Sequence, residues 1–411
     1  MSAPTSAPHG IFTADEIAAL EADSIFLPGE VKGKRRFDRV TNLSAVSFEL
    51  PVDPVSVEAM EFTGFTTPVA TEIYEEYLSL QGRSTRHSCI LDCAYDRFMR
   101  LGHRDISPSE AMELVGLNAA TQAALLDPHF SKILWKHDMR HWISNTLMHQ
   151  YTCLEYIQRL LKDHAHALGP DSAQENQQAV MDDPLRTVHS LSASQVTVVS
   201  DGGSDTLPGH TTLYTTHTIA SMSNDGAWMD EDGTLIIRRL LTAGADFNYP
   251  HPGLYLTESR QVAEEYRAWT ARRSPWSETM LIRIQVPDSF LSSLTTHELW
   301  YSADWKKYVW ACKNSRYDHL LGKFDHLMSA DLIRGHSFTG IDRSIKQHPW
   351  EEIDVHAHIT EDNVMRVPGD TEEKAIQWAF LSNRIWTLPQ SIRGKVHVFV
   401  SAPAALTNPS S

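Results

Sequence analysis

Gly253-Leu-Tyr-Leu-Thr257, Glu258-Ser-Arg-Gln-Val-Ala-Glu-Glu-Tyr-Arg-Ala-Trp269 and Met280-Leu-Ile-Arg-Ile-Gln-Val-Pro287 follow one another in the second half of the chain. A short apolar and aromatic run, a longer segment mixing charged and apolar residues, and a second apolar run ending at proline predict a strand, a helix and a strand. Upstream, Thr212-Leu-Tyr-Thr-Thr-His-Thr218 predicts another strand, and Ile236-Ile-Arg-Arg-Leu-Leu-Thr-Ala-Gly-Ala-Asp-Phe247 a helix-like segment. Further strand-like runs lie at Val196–Val199, Asp331–Ile333 and Val396–Val400, with helices expected at Trp305–Asn314 and Glu372–Ile385. The second half is therefore α+β.

The first half reads as mainly helical. Thr13-Ala-Asp-Glu16 suggests a short helix, and Ser107-Pro-Ser-Glu110 a helix start, with a capping hydroxyl, a proline at the first position and an acid able to reach back. Trp135, Met139, Trp142, Ile143, Leu147, Tyr151, Leu154, Ile157 and Leu161 recur at spacings of three and four, the apolar face of a long helix ending near Ala167. Between Gly169 and Ser194 the composition turns polar and rich in Gln, Ser and Asp. The expected organisation is a helical region over 1–170, a linker or exposed loop over 171–195, and an α+β domain over 196–411, without internal repeats.

The 411 residues are 42% hydrophobic and 21% charged, and 36 Lys plus Arg stand against 52 Asp plus Glu, a net charge of −16. Such a surface repels phosphate backbones, which disfavours general nucleic-acid binding. No apolar run approaches the roughly 20 residues of a membrane helix, and Met1–Gly10 lacks a basic start followed by an apolar stretch, so no membrane association and a cytoplasmic location are expected. Cys89, Cys93, Cys153 and Cys312 are too few for a disulfide framework.

The ordered series in the second half resembles the ADP-ribosyltransferase-like superfamily, in particular an uncharacterised microbial and fungal branch. Leu213-Tyr214 matches the start of its L-Y-H-G-T motif, Asp246-Phe247-Asn248 its D-F-G, and Gly253-Leu-Tyr-Leu-Thr257 its G-F-Y-L-T, with Ala263 and Trp269 on the next helix. Trp305-Lys-Lys-Tyr308-Val309, Asp331-Leu-Ile-Arg-Gly335 and Gln377-Trp-Ala-Phe-Leu-Ser382 continue the series more loosely, so that it covers about residues 207–400. The resemblance implies a split β-sheet domain that binds NAD, as substrate, or a related nucleotide and transfers or hydrolyses ADP-ribose. It implies Tyr255 as the stacking aromatic, Thr257 shaping the following turn, and Tyr214, Thr215 and His217 anchoring the carboxamide or ribose.

Cleaving the glycosidic bond of NAD leaves an oxocarbenium-like ribose, which calls for a stacking wall, polar anchors and a carboxylate. Thr215 stands where the branch has histidine, and His217 lies two residues on, along the same strand face but displaced by roughly 7 Å. The position of the transferases' catalytic glutamate falls on Gln377, which hydrogen-bonds but carries no charge. Glu298, in a stretch Thr296–Trp305 read as a loop, is the alternative acid, among His297, Trp300, Tyr301 and Asp304. Tyr255, Gln377 and Glu298 are thus the candidate catalytic residues.

His356 and His358 could supply half of a metal site, but with no third ligand identifiable they are read as a surface pair and no metal is expected, while His137 and His141 are expected to face solvent. Basic residues cluster at Lys32–Arg39, at Arg267, Arg272 and Arg273, and at Lys306, Lys307, Lys313 and Arg316, which leaves tRNA as the one nucleic-acid partner still open. The acceptor, a small molecule or a protein, is not specified. Two other functions remain open: a group transferase of fungal secondary metabolism, for example one forming cyclodipeptides from aminoacyl-tRNA, and a non-catalytic binding protein.

Overall fold

The computed structural model describes residues 11–41, 44–80, 89–100, 107–167, 196–198, 206–223, 228–229, 234–242, 244–248, 251–340, 348–353 and 358–404. The stretch 171–195, read as a linker, lies outside the described residues, and so does His356.

The chain begins with helix Ala14–Ala22, closed by a capping box in which Thr13 and Glu16 satisfy each other's backbone amides. Three strands follow, β1 (Phe26–Val31), β2 (Lys34–Thr41) and β3 (Ser44–Pro51), paired antiparallel in that order. This sheet stands within the region expected to be mainly helical and was not among the strands read from the sequence. Helices Val57–Thr63, Thr67–Leu80, Ile90–Arg100, Pro108–Val115, Ala119–Leu125 and Met139–Ala167 then build the helical body. Ser107 caps Pro108–Val115 by accepting from the Glu110 amide at 3.2 Å. The long helix starts at Met139 rather than Trp135, which instead ends the short helix Ser131–Leu134.

One short internal repeat corrects the expectation that there is none. Met60-Glu-Phe-Thr-Gly64-Phe65 and Met112-Glu-Leu-Val-Gly116-Leu117 each end a helix on a left-handed glycine (φ 118° and 85°) before a second helix begins. The two corners are bridged by Phe65 and Leu117, with Thr66 donating to the Gly116 carbonyl at 2.9 Å and Asn118 to the Gly64 carbonyl at 2.8 Å. A Cβ at Gly116 would stand 2.3 Å from a methyl of Val69, so glycine is required there by both conformation and space.

The rest is one large mixed sheet with strands in the order β4-β12-β8-β5-β7-β11-β10-β9 and a short β6 added to β7. Their ranges are β4 Val196–Val198, β5 His210–Thr218, β6 Leu241–Thr242, β7 Gly253–Thr257, β8 Thr279–Pro287, β9 Thr296–Leu299, β10 Leu332–His336, β11 Ile376–Phe380 and β12 Val396–Ser401. The fold is α+β. Helix Arg260–Arg273 packs on β5, β7 and β8, and helix Ala303–Lys313 anchors a second apolar cluster on the other side of the right-hand strands. Three local expectations are corrected. Ile236–Phe247 is a 3-10 turn and the short β6 rather than a helix, Thr296–Leu299 is a strand rather than loop, and Glu372–Ile385 contains β11 rather than a helix.

Two features of this arrangement position a site. β5 pairs with β8 along its whole length, from His210 to Thr218, but meets β7 at one register pair, Tyr214 opposite Thr257. The sheet therefore parts between β5 and β7. The second feature is that a single apolar core extends from Phe12 and Leu147 to Leu213, Ile282 and Val398, so residues on both sides of the boundary expected near residue 190 are buried together. No helix among the described residues is long and apolar enough to cross a membrane.

Candidate functional site

A cavity of about 210 Å³ opens where β5 and β7 diverge. From β5 come Tyr214, Thr215, Thr216 and His217, from β7 Tyr255, Leu256 and Thr257, from β11 Ile376 and Gln377, and from helix Arg260–Arg273 Val262, Ala263 and Tyr266. The helical half closes it with Lys136, His137 and Trp142, and Asp246 and Ser337 complete the wall. Six of the seven residues singled out in the sequence, Tyr214, Thr215, His217, Tyr255, Thr257 and Gln377, line this one cavity. Glu298 does not. It sits on the edge strand β9 with 57% of its side chain exposed, bonded to the Trp300 indole (3.0 Å) and paired with Arg334 (3.4 Å).

The polar centre is Asp246, whose side chain is 1% exposed. Its Oδ2 accepts from the Phe338 amide (2.9 Å) and Gln377 Nε2 (2.9 Å) and lies 3.4 Å from Lys136 Nζ, while Lys313 Nζ stands 3.1 Å from Oδ1. Burial works to raise the pKa of this carboxyl, but the two ammonium groups outweigh it and hold it down at about 2. Burial likewise opposes the charge on Lys136, and the facing carboxylate overrides it, so that its pKa is raised. Lys136 also donates to Ser337 Oγ at 2.7 Å, and its ammonium lies 5.7 Å from the centre of the Tyr266 ring.

These contacts join the two halves of the chain. Lys136 belongs to a segment whose backbone docks on the turn after β10: the Thr339 hydroxyl donates to the Lys132 carbonyl, Gly340 to that of Trp135 (3.2 Å), and Lys313 Nζ to that of Lys136 (2.8 Å). Two lysines on one carboxylate leave a net charge of one positive unit at the floor of the cavity.

The residues expected to act are mostly committed to local bonds. Tyr255 accepts the Phe247 amide (2.8 Å) and donates to Asn248 (3.1 Å), and burial raises its pKa well above the usual tyrosine value. Thr257 donates to the Ile376 carbonyl (2.9 Å) and accepts the Ser259 amide (3.2 Å), shaping the turn into the helix. Gln377 is held between Asp246 and Ser337. Burial lowers His217 to about 4, so its ring is neutral at pH 7 and can accept a hydrogen bond. His137 lines the cavity, stacked 3.9 Å from His141 and edge-on to Trp142, which corrects the expectation that it simply faces solvent.

Behind the cavity Arg273 is 3% exposed, lying 4.7 Å from the Trp142 ring centre and 4.9 Å from that of Trp269 and donating to Asn145 (2.8 Å) and Thr146 (2.9 Å). Burial lowers its pKa to about 9. Sequence reasoning gave no site role to Lys136, Ser337 or Tyr266, took Arg273 only as part of a basic cluster, and met Asp246 only as the first letter of a motif. Nothing in the sequence around Lys136 marks it for this role.

No family model, curated protein or solved structure matches the chain.

Proposed function

We propose that the chain is a nucleotide-binding protein of the ADP-ribosyltransferase-like type that takes the nicotinamide-ribose end of NAD, or the corresponding part of a related nucleotide, between β5 and β7. One observation carries the reading: six residues chosen from the motif series converge on the place where the sheet parts. The cavity is smaller than the roughly 300 Å³ at the lower end of ligand pockets, which suits one ring with its sugar rather than a whole dinucleotide. Tyr214 and Tyr255 supply aromatic walls, Thr215 and neutral His217 supply donors and acceptors for a carboxamide or ribose hydroxyl.

The acid is where this site departs from a glycosidic-bond enzyme. Asp246 is the only carboxylate among the lining residues, and both of its oxygens face ammonium groups. A carboxylate so neutralised gives little stabilisation to a developing oxocarbenium ion. Binding should therefore exceed turnover, and the net positive floor favours a ligand with an anionic group.

The test is a thermal-shift series with millimolar NAD and ADP-ribose, followed by chromatography of the nucleotide. A raised melting temperature with intact NAD, lost in Tyr255→Ala, is the expected result. NAD consumption would make the protein a working transferase or hydrolase. The proposal fails if neither nucleotide shifts the melting temperature and NAD is not consumed.

A further inference from the structure

A second cluster shares no residue with the cavity and lies against helix Ala303–Lys313. His348, Glu352 and His358 each offer a ligand atom within 4.8 Å of the other two. The His348 and His358 rings are stacked with centroids 3.4 Å apart and planes 15° apart, and His358 Nε2 lies 3.9 Å from Glu352 Oε2. The sequence shows His358 only as part of a histidine pair with His356; the fold supplies two different partners, one ten residues before it and one six.

The backbone beneath all three is pinned by buried neighbours. The Trp310 indole donates to the His348 carbonyl at 3.1 Å. Glu352 ends the 3-10 turn Trp350–Glu352, whose Trp350 packs on Trp310 (5.6 Å), stacks on His319 (5.0 Å) and meets Phe324 edge-on (6.2 Å). Ile353 and Ile359, the residues after Glu352 and His358, are both fully buried in the second apolar cluster. Anchors of this kind leave side-chain torsions as the main freedom of the three ligands.

We propose that His348, Glu352 and His358 bind a divalent transition-metal ion of the zinc class and that the ion acts as a structural clamp on this segment. Two imidazoles and one carboxylate are a donor set suited to Zn²⁺ rather than to Ca²⁺ or Mg²⁺, which require mostly oxygen. Zinc bonds of about 2.0–2.2 Å put tetrahedral ligand atoms roughly 3.3 Å apart. Closing the cluster from its present separations takes an ångström or so, and a rotation of one ring out of the stack turns its nitrogen toward the carboxylate. Both imidazoles bind as neutral rings, Glu352 as its anion, and water completes a fourth position. The clamp joins residues 348–352 to 358 over the helix whose last residue, Lys313, holds Asp246.

Chelator-stripped full-length protein titrated calorimetrically with Zn²⁺ is expected to take up one equivalent, and Co²⁺ in its place to give the visible absorption of a tetrahedral site. His348→Ala and His358→Ala should each weaken zinc binding by at least about tenfold, since even an outer partner of a metal ligand is worth that much. His210→Ala, at a half-buried histidine outside the cluster, should leave it unchanged. Without metal, the two cluster variants should melt with the stripped wild type. Should either fail to fold, Glu352→Gln provides the same comparison at a side chain 46% exposed. No saturable uptake by the wild type, or uptake of equal affinity in the cluster variants, overturns the site.

Discussion

Gln377 and Trp378 are neighbours on β11 and project to opposite faces of the sheet, and each leads to a carboxylate–cation cluster of a different kind. On the Gln377 side, Asp246 is sealed from water and held by Lys136, Lys313, an amide and the Phe338 N–H. On the Trp378 side, Arg334 reaches Glu258 (3.1 Å) and Glu298 (3.4 Å) and lies over Trp300 and Trp378, but its side chain and those of both acids are 29% to 57% exposed. The same chemistry thus occurs in two dielectric settings. Buried charges are costly unless paired, whereas exposed pairs gain little and are screened. The buried cluster should therefore behave as a structural necessity and the exposed one as a nearly neutral surface feature.

The largest effect should come from Asp246→Asn, which leaves two buried ammonium groups facing an uncharged amide. Removing one member of a buried ion cluster costs about 3–5 kcal/mol. Denaturant titration should show that loss, together with a melting transition that no longer reports one core across both halves. The acid limb adds a signature. A carboxyl held at about 2 in the folded state stabilises the protein above its unfolded value near 4, and that contribution is lost as pH falls from about 4 toward 2. The Asn variant should lack this limb. If Asp246→Asn is as stable as the wild type, the contrast between the two clusters collapses.

A smaller effect comes from His217 in the cavity wall and from His149 near it. Burial lowers His217 to about 4, and burial followed by the charge of Arg273 lowers His149 to about 3. Both stay neutral in the folded protein while the unfolded chain takes up protons below about 6.5. The unfolded state then binds more protons, so stability falls as pH drops from 6.5 toward 4, by up to about 1.4 kcal/mol per pH unit for each histidine. Denaturation midpoints measured across this window should show that slope in the wild type, and His149→Gln should reduce it by one histidine's share, since His141 and His336, each lowered by burial to about 4, contribute to the same window. A slope unchanged in His149→Gln would place these rings in contact with water.

How far the sequence foretold this contrast follows from what each residue needs. The strands at 253–257, 280–286 and 396–400 and the helix from Arg260 were legible because compact apolar runs bounded by Gly and Pro leave few alternatives. β11 was not: its residues Gln377 to Phe380 are all buried, so the strand lacks the alternation that separates it from a helix, and the flanking Glu, Lys and Ala favour the wrong choice. The cavity wall was legible in Tyr214, Tyr255 and Gln377 through the order of the motifs. Its polar centre was not, because Lys136 and Asp246 acquire meaning only when segments 110 residues apart meet. Nothing local marks a lysine that will be buried. The metal cluster failed for the same reason, with His348 and Glu352 unremarkable until the second apolar cluster folds beneath them.

The smallest expected effect is the sharpest check on the comparison, because Glu298 is the alternative acid that sequence reasoning offered. Its carboxylate is 57% exposed, its partner Arg334 keeps Glu258 at 3.1 Å, and Trp378 donates to that same glutamate, so the guanidinium remains paired without Glu298. Glu298→Ala should cost about 0.2–1 kcal/mol, within the range of exposed ion pairs, and less at high salt. Nucleotide binding in the cavity should be unaltered, since no atom of Glu298 lines it. A loss of several kcal/mol would mean that Arg334 depends on both acids and that the outer face is as tightly organised as the inner one. A loss of nucleotide binding with stability intact would restore Glu298 to the site and move the ligand from the parting of β5 and β7 toward the sheet edge at β9.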